Sequence, residues 1–131
     1  MLDSGALVAI ERRRMQMLEI LTAARSGEND IVIPVAILGE VWTGAGSRQA
    51  PIARLLSDAH TTIHPLTLQE ALSAGILLRR TSRRTKRGET RPGVIDAYVA
   101  TCAQGVDAAA IVTSDPDDIA AFELGIPIIP V

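Results

Sequence analysis

Ala109-Ala110-Ile111-Val112-Thr113-Ser114-Asp115-Pro116 reads as a short apolar strand over 109–113 running straight into a helix start. Asp115 or Ser114 supplies the side-chain oxygen that caps the first turn, and Pro116 suits that turn because its missing N–H costs nothing there. The succession of strand, acid and helix belongs to layered α/β domains, and it recurs along the chain. Residues 1–3 read as the end of a first strand. Residues 6–25 read as one helix, with Met17, Leu18, Leu21 and Ala24 at helical spacing and Arg12-Arg13-Arg14 facing water. A turn over 26–30 leads into a strand, Ile31-Val32-Ile33, and Pro34 then opens a helix expected to run through Glu40 to about Gly44. After a break at Gly44-Ala45-Gly46-Ser47, residues 51–59 read as a helix and Thr61 to Pro65 as a short strand. Leu68 to about Ser82 is the next helix, with Leu72, Ile76 and Leu78 or Arg79 along its buried edge. Residues 85–93 are polar, basic and contain Gly and Pro, hence a loop. Val94 to Gln104 is a helix carrying Asp96 on its first turn. Gly125 ends the helix begun at Pro116, and Ile126 to Val131 is a last strand. The expectation is an α/β fold with a mostly parallel sheet, in one domain over residues 1–131.

Composition narrows the class. The chain is 47% hydrophobic and 21% charged, a globular balance rather than a disordered one. Its longest apolar stretch is too short to span a bilayer and no signal-peptide pattern opens it, so no membrane association and a cytoplasmic location are expected. The single cysteine, Cys102, excludes an internal disulfide and fits a reducing compartment. Net charge is −2, which by itself announces no nucleic-acid partner, but seven of the 13 basic residues fall between Arg79 and Arg91. The only aromatics are Trp42, Tyr98 and Phe122, too few for the stacking platforms of single-strand binders.

Four acids interrupt apolar segments: Asp3 before Gly5-Ala6-Leu7-Val8, Glu40 in Ile37-Leu38-Gly39-Glu40-Val41-Trp42, Asp96 in Val94-Ile95-Asp96-Ala97, and Asp115. A carboxylate in such a setting is costly unless a partner offsets it. Taken singly, helix capping explains Asp3, Asp96 and Asp115 about as well as anything else. Taken together, convergence on one cation is the simplest shared explanation. Ligands of open α/β sheets bind beyond the carboxyl ends of the strands, where Asp3 and Asp115 are expected. Two carboxylates about 4 Å apart repel by roughly 4 kcal/mol at an effective dielectric of about 20. Without metal some of them should hold protons. An all-oxygen donor set favours Mg²⁺ or Mn²⁺ over Zn²⁺.

The ordered set Leu2-Asp3-Ser4-Gly5-Ala6-Leu7, Glu40 after a strand-Pro-helix entry, Val94-Ile95-Asp96-Ala97 and Thr113-Ser114-Asp115-Pro116-Asp117-Asp118 resembles the PIN-domain ribonucleases, in particular the VapC toxins of bacterial VapBC pairs. The likeness covers nearly the whole chain. It implies a three-layer α/β/α PIN-like fold. It also implies a Mg²⁺-dependent endoribonuclease that hydrolyses RNA with metal-bound water, held inactive by a VapB-like antitoxin and forming a homodimer. Asp3, Glu40, Asp96 and Asp115 would be the metal-binding and catalytic acids. Asp117 and Asp118 would be auxiliary, although first-turn acids also answer to the helix dipole. Ser4 and Thr113 would position water or phosphate. Arg84, Lys86, Arg87 and Arg91 are candidate RNA-phosphate contacts, with a solvated helix end and loop as an equally good reading.

Two departures stand out. The family carries several apolar residues ahead of the first Asp, whereas only Met1 and Leu2 precede Asp3 here. Losing three buried apolar side chains would cost about 1.5–3 kcal/mol each, against a net stability of about 5–15 kcal/mol, so a start upstream of Met1 is expected. Gly5 stands where the family prefers a hydroxyl residue.

The competing function is a non-catalytic PIN-fold module that binds RNA or protein; the presence of all four acids argues against it. Phosphotransfer receivers want an acidic pair near the first strand and a late Lys, and carboxylate-nucleophile phosphatases want a second Asp at position 5; this chain has neither. His60 and His64 read as structural or surface residues with no partner placing either as a general base, Cys102 as a small buried residue, and Trp42 as core or interface unless it proves exposed beside Glu40.

Overall fold

A computed structural model describes residues 1–27, 29–42, 46, 49–84 and 91–131. The elements are α1 (Ser4–Glu11), α2 (Met15–Ser26), β1 (Ile31–Pro34), α3 (Val35–Val41), α4 (Ala50–Leu56), β2 (Thr61–His64), α5 (Leu68–Arg84), α6 (Val94–Gly105), β3 (Ile111–Thr113), α7 (Pro116–Ala120) and β4 (Ile128–Pro130). β1 pairs with β2 in parallel from Ile31↔Thr61 to Pro34↔His64, and β3 pairs with β4 in parallel from Ile111↔Ile128 to Thr113↔Pro130. Residues 1–3 join the two pairs. Leu2 forms a parallel bridge with Val112, and its N–H donates to Val32 O at 2.9 Å. The sheet therefore reads β2, β1, residues 1–3, β3, β4, all parallel. Helices cover both faces, which makes the fold the expected three-layer α/β/α. Ile31, Ile33, Ile111 and Val112 are buried, as strands sandwiched between helix layers require. Among the described residues no helix is long and apolar enough to cross a membrane.

Several boundaries differ from the sequence reading, each for a local reason. The helix expected over 6–25 is two helices. Asp3 caps α1 so that it starts at Ser4, and Arg13, with φ of 53°, breaks the chain in the left-handed region between α1 and α2. Met17 and Leu21 are buried as expected, while Leu18 is exposed because α2 turns a narrower face to the core. Pro34 ends β1 rather than opening α3, its extended ψ of 130° placing it as the helix N-cap. α3 stops at Val41; the expected run to Gly44 enters Thr43–Ala45, outside the described residues. The helix expected over 51–59 is shifted and shorter, and the strands expected over 109–113 and 126–131 shorten to β3 and β4. α7 ends at Ala120, before Gly125, which takes φ of 72° in the following turn.

The buried edge of α5 was misplaced by the periodicity. Leu72 and Ile76 are 56% and 62% exposed, and Arg79 is also exposed. Ala74 and Thr81 are buried instead, with Leu77 and Leu78 partly so. Ala74 belongs to a compact cluster with Ala97, Tyr98, Ala100, Cys102 and Phe122, so the small residue marks where α5 lies closest to α6. The expected loop at 85–93 lies mostly outside the described residues, which resume at Arg91.

Candidate metal centre

The carboxyl ends of residues 1–3 and β3 lie side by side, and each ends in an acid. Asp3 is buried at 6% exposure; its N–H donates to Val112 O at 3.1 Å and its Oδ1 accepts the Ala6 N–H at 2.8 Å. Asp115 is the N-cap residue of α7, with its side chain exposed and accepting from Ser114 Oγ at 2.9 Å. Thr113 connects the two. Its hydroxyl is fully buried, accepts the Asp115 N–H at 2.9 Å and donates to the Asp3 carboxylate. Asp96 enters from the first turn of α6, where its Oδ2 accepts the Gly93 N–H at 2.6 Å. Glu40 sits exposed near the end of α3.

Electrostatics ties these acids into one field. Burial raises the pKa of Asp3, and the charges of Asp115 and Asp96 raise it further, against the hydrogen bonds from Thr113 and Ala6. Burial likewise raises Asp96, with Glu40 and Asp115 adding to it against the Gly93 hydrogen bond. Asp118 is raised by burial and by Asp96, Asp115 and Asp117. Asp118 is thus drawn into the group, while Asp117 points to solvent on the first turn of α7. Among the described residues no three of these carboxylates bring oxygens within 4.8 Å of one another. The arrangement is an open ring rather than a closed cage. An open, all-oxygen ring suits a small hard cation that keeps several waters, as Mg²⁺ does.

A profile of the PIN domain matches residues 1–123. The chain belongs to the PIN-domain family. PIN domains are generally nucleases and typically use divalent metals. No curated protein matches this PIN domain.

Other features of this PIN domain were less legible in the sequence. A Cβ at Gly5 would stand 2.1 Å from Ser114 Oγ and 2.9 Å from Ser114 N. The first turn of α1 therefore presses directly on the end of β3, and the Gly that replaces the expected hydroxyl residue is what permits it. Ser4, beside it, is half-buried at the start of α1. His64 places Nε2 2.5 Å from Glu70 Oε1, and Cys102 Sγ lies 3.8 Å from the same oxygen. Burial disfavours the Glu70 charge, but hydrogen bonds from Thr67 and His64 outweigh it and hold its pKa low. Burial pushes the Cys102 thiol up to about 11, so it is inert as a nucleophile. This group follows from a six-residue spacing across a strand-to-helix turn plus a tertiary contact, and only the first was readable. Trp42 is 44% exposed. It follows the last residue of α3 in extended conformation, two residues from Glu40, so the reading of it as a core residue does not hold. Among the basic candidates Arg91 is exposed just ahead of α6, whereas Lys86, Arg87 and the Arg84 side chain lie outside the described residues.

Proposed function

We propose that this PIN domain is a Mg²⁺-dependent endoribonuclease and the toxin of a VapBC-type pair, with Asp3, Glu40, Asp96 and Asp115 holding the cation and Mn²⁺ able to replace it. The observation that carries the reading is that, beside burial, Asp3 is raised by Asp115 and Asp96 and Asp96 by Glu40 and Asp115, at the carboxyl end of the sheet. That is an electrostatic conflict a hard divalent cation resolves. Such a cation, when bound, neutralises phosphate charge and lowers the pKa of water.

The chain's own groups have separable tasks. Asp3 and Asp96 are fixed by backbone N–H groups and form the rigid part of the ring. Thr113 holds Asp3 and Asp115 in register and has no free hydroxyl surface to offer a phosphate. Glu40, exposed on α3, has freedom to close on the cation. Asp118 supplies further negative charge, and Ser4 stands at the rim. Arg91, with Arg84, Lys86 and Arg87, would grip RNA phosphates without reading sequence. Exposed Leu68, Leu72 and Ile76 make an apolar stripe on α5, which supports a homodimer or a VapB-like antitoxin as partner. The cytoplasm is the compartment this function requires.

The test is cleavage of RNA with Mg²⁺ or Mn²⁺, alongside EDTA and Asp96→Asn. Cleavage is expected to need the metal and to collapse in the variant. Cleavage that survives both would end the metal-ion reading. RNA binding without any turnover in Mg²⁺ would favour the non-catalytic module instead.

A further inference from the structure

His64, Glu70 and Cys102 bring a nitrogen, an oxygen and a sulfur within 4.8 Å of one another, and none of the three belongs to the acidic ring. They come from three elements: the last residue of β2, the first turn of α5 and the body of α6. Along α6, Cys102 lies about 9 Å of helix axis beyond Asp96, which carries it away from the ring. Glu70 is aimed by its own helix start. Its Oε2 accepts the Thr67 N–H at 3.1 Å and the Thr67 hydroxyl at 2.6 Å, while the Glu70 N–H donates to Thr67 Oγ1 at 3.2 Å. This reciprocal cap satisfies one carboxylate oxygen and fixes the side chain. Oε1 is left facing His64 Nε2 at 2.5 Å and Cys102 Sγ at 3.8 Å.

A hydrogen-bonded pair of His64 and Glu70 accounts for two of these groups, but not for what surrounds the third. Tyr98 packs in one cluster with Cys102, and its hydroxyl is buried without a hydrogen-bond partner among the described residues. Buried donors are almost always paired, so this one wants an explanation. A protonated thiol is a weak acceptor, whereas a thiolate is a strong one. Burial raises the Cys102 pKa and the Tyr98 hydroxyl opposes that rise, as a donor to the thiolate does. A cation on the sulfur is what makes a buried cysteine a thiolate. The Tyr98 hydroxyl is thus spare in the metal-free chain and has a partner in the metal-bound one, the usual relation of an outer-shell donor to a metal ligand.

We propose that His64 Nε2, Glu70 Oε1 and Cys102 Sγ form a binding site for a borderline-soft transition-metal ion of the Zn²⁺ type, with Tyr98 donating to the sulfur and a water in the fourth position. Mg²⁺ prefers oxygen ligands, so this site and the acidic ring select different metals. Ligand bonds of about 2.0–2.3 Å put tetrahedral donors about 3.3–3.7 Å apart. The sulfur–oxygen separation already fits, and the His64 ring has to draw back by about 1 Å. Its side chain is 20% exposed, which permits that movement and gives the ion and its water a way in. The thiol proton leaves to solvent on binding. The ion ties the edge strand β2 to α5 and α6, so its task is to fix α5 in place rather than to do chemistry.

The experiment titrates the full chain with Co²⁺, whose thiolate charge-transfer absorption reports only a cation on sulfur and ignores ions held by carboxylates alone. Cys102 is the only thiol in the chain. Co²⁺ should produce the band, and Zn²⁺ should abolish it and raise the melting temperature more in the parent than in His64→Gln. Cys102→Ser is expected to lose the band, and His64→Gln to bind Co²⁺ about ten-fold more weakly or worse. Should Cys102→Ser not fold, His64→Gln decides alone. Tyr98→Phe should melt no lower without metal, yet bind Co²⁺ about ten-fold more weakly. Asp96→Asn should keep both band and affinity, which separates this site from the acidic ring. A parent chain without the band would overturn the proposal, as would a band of equal affinity in His64→Gln. Equal affinity in Tyr98→Phe would overturn the role given to its hydroxyl, and a band lost in Asp96→Asn would overturn the separateness of the site.

Discussion

A side chain at position 5 would have to occupy space that Ser114 already fills. The Ser114 hydroxyl, 2.1 Å from an ideal Cβ, can rotate away, but its backbone N at 2.9 Å cannot. Gly5→Ser, the substitution that restores the hydroxyl the family prefers, is therefore expected to destabilise by about 1–3 kcal/mol, the usual cost of overpacking. Urea unfolding checks this, and a variant as stable as the parent would mean that α1 and β3 are not in contact. Thr113 acts by hydrogen bonding rather than by filling space. Thr113→Val keeps the shape but strands the Asp115 N–H and removes a donor from buried Asp3, at about 1–3 kcal/mol. The Asp3 pKa then climbs further, so Mn²⁺ affinity should fall with the stability. Metal binding that is untouched in Thr113→Val would remove Asp3 from the set of ligands.

α5 shows why a pattern of residue types locates a helix better than it orients one. Leu68, Leu72 and Ile76 recur every fourth residue and look like a core stripe, yet all three are exposed, and the packed face is built on Ala74. Periodicity reports that a helix has an apolar face but not whether that face meets this chain or another one, and a small residue at a close helix crossing carries almost no hydropathy signal. Ala74→Leu is accordingly expected to cost about 1–3 kcal/mol by wedging α5 off α6, while Leu72→Ser should stay within about 0.5 kcal/mol in the monomer. Thermal melts of both variants decide it, and the reverse ranking would reinstate the stripe as core. The same logic separates what else was legible. The strands, the acids at their carboxyl ends and the helix starts are local signals, and the parallel α/β architecture followed from them. The break at Arg13 was hidden because an apolar rhythm continues across it on both sides. The link from Asp3 through Thr113 to Asp115 and the approach of Cys102 to Glu70 are tertiary facts that no spacing encodes.

For the molecule as a whole, the acidic ring makes stability depend jointly on pH and divalent cation. Asp3, Asp96 and the more exposed Asp118 have pKa values raised above those of the unfolded chain, so the folded state holds protons more tightly than the unfolded one. Their contribution is intact below the ordinary carboxylate value and is lost as pH rises through the raised values. The metal-free protein is thus penalised near neutrality. The Met1 ammonium, lowered to about 6 by burial, works the other way, its contribution being lost as pH falls through that value. Glu70, held low, loses its contribution only in stronger acid. Raw melting curves mix these terms. The difference between curves in excess Mg²⁺ and in EDTA cancels the groups that do not touch the cation. That difference should be largest near neutral pH, where a hundred-fold excess over Kd adds about 2.7 kcal/mol, on the order of 10 °C for a chain of this size. It should shrink steadily on acidification, as protons compete for the raised carboxylates. Asp3→Asn should both raise the EDTA curve, by relieving repulsion at the most buried acid, and abolish most of the Mg²⁺ increment. A Mg²⁺ increment that is absent at neutral pH, or that does not change with acidification, would mean that these carboxylates do not share a cation, and the ring would revert to a set of helix caps that happen to face one another.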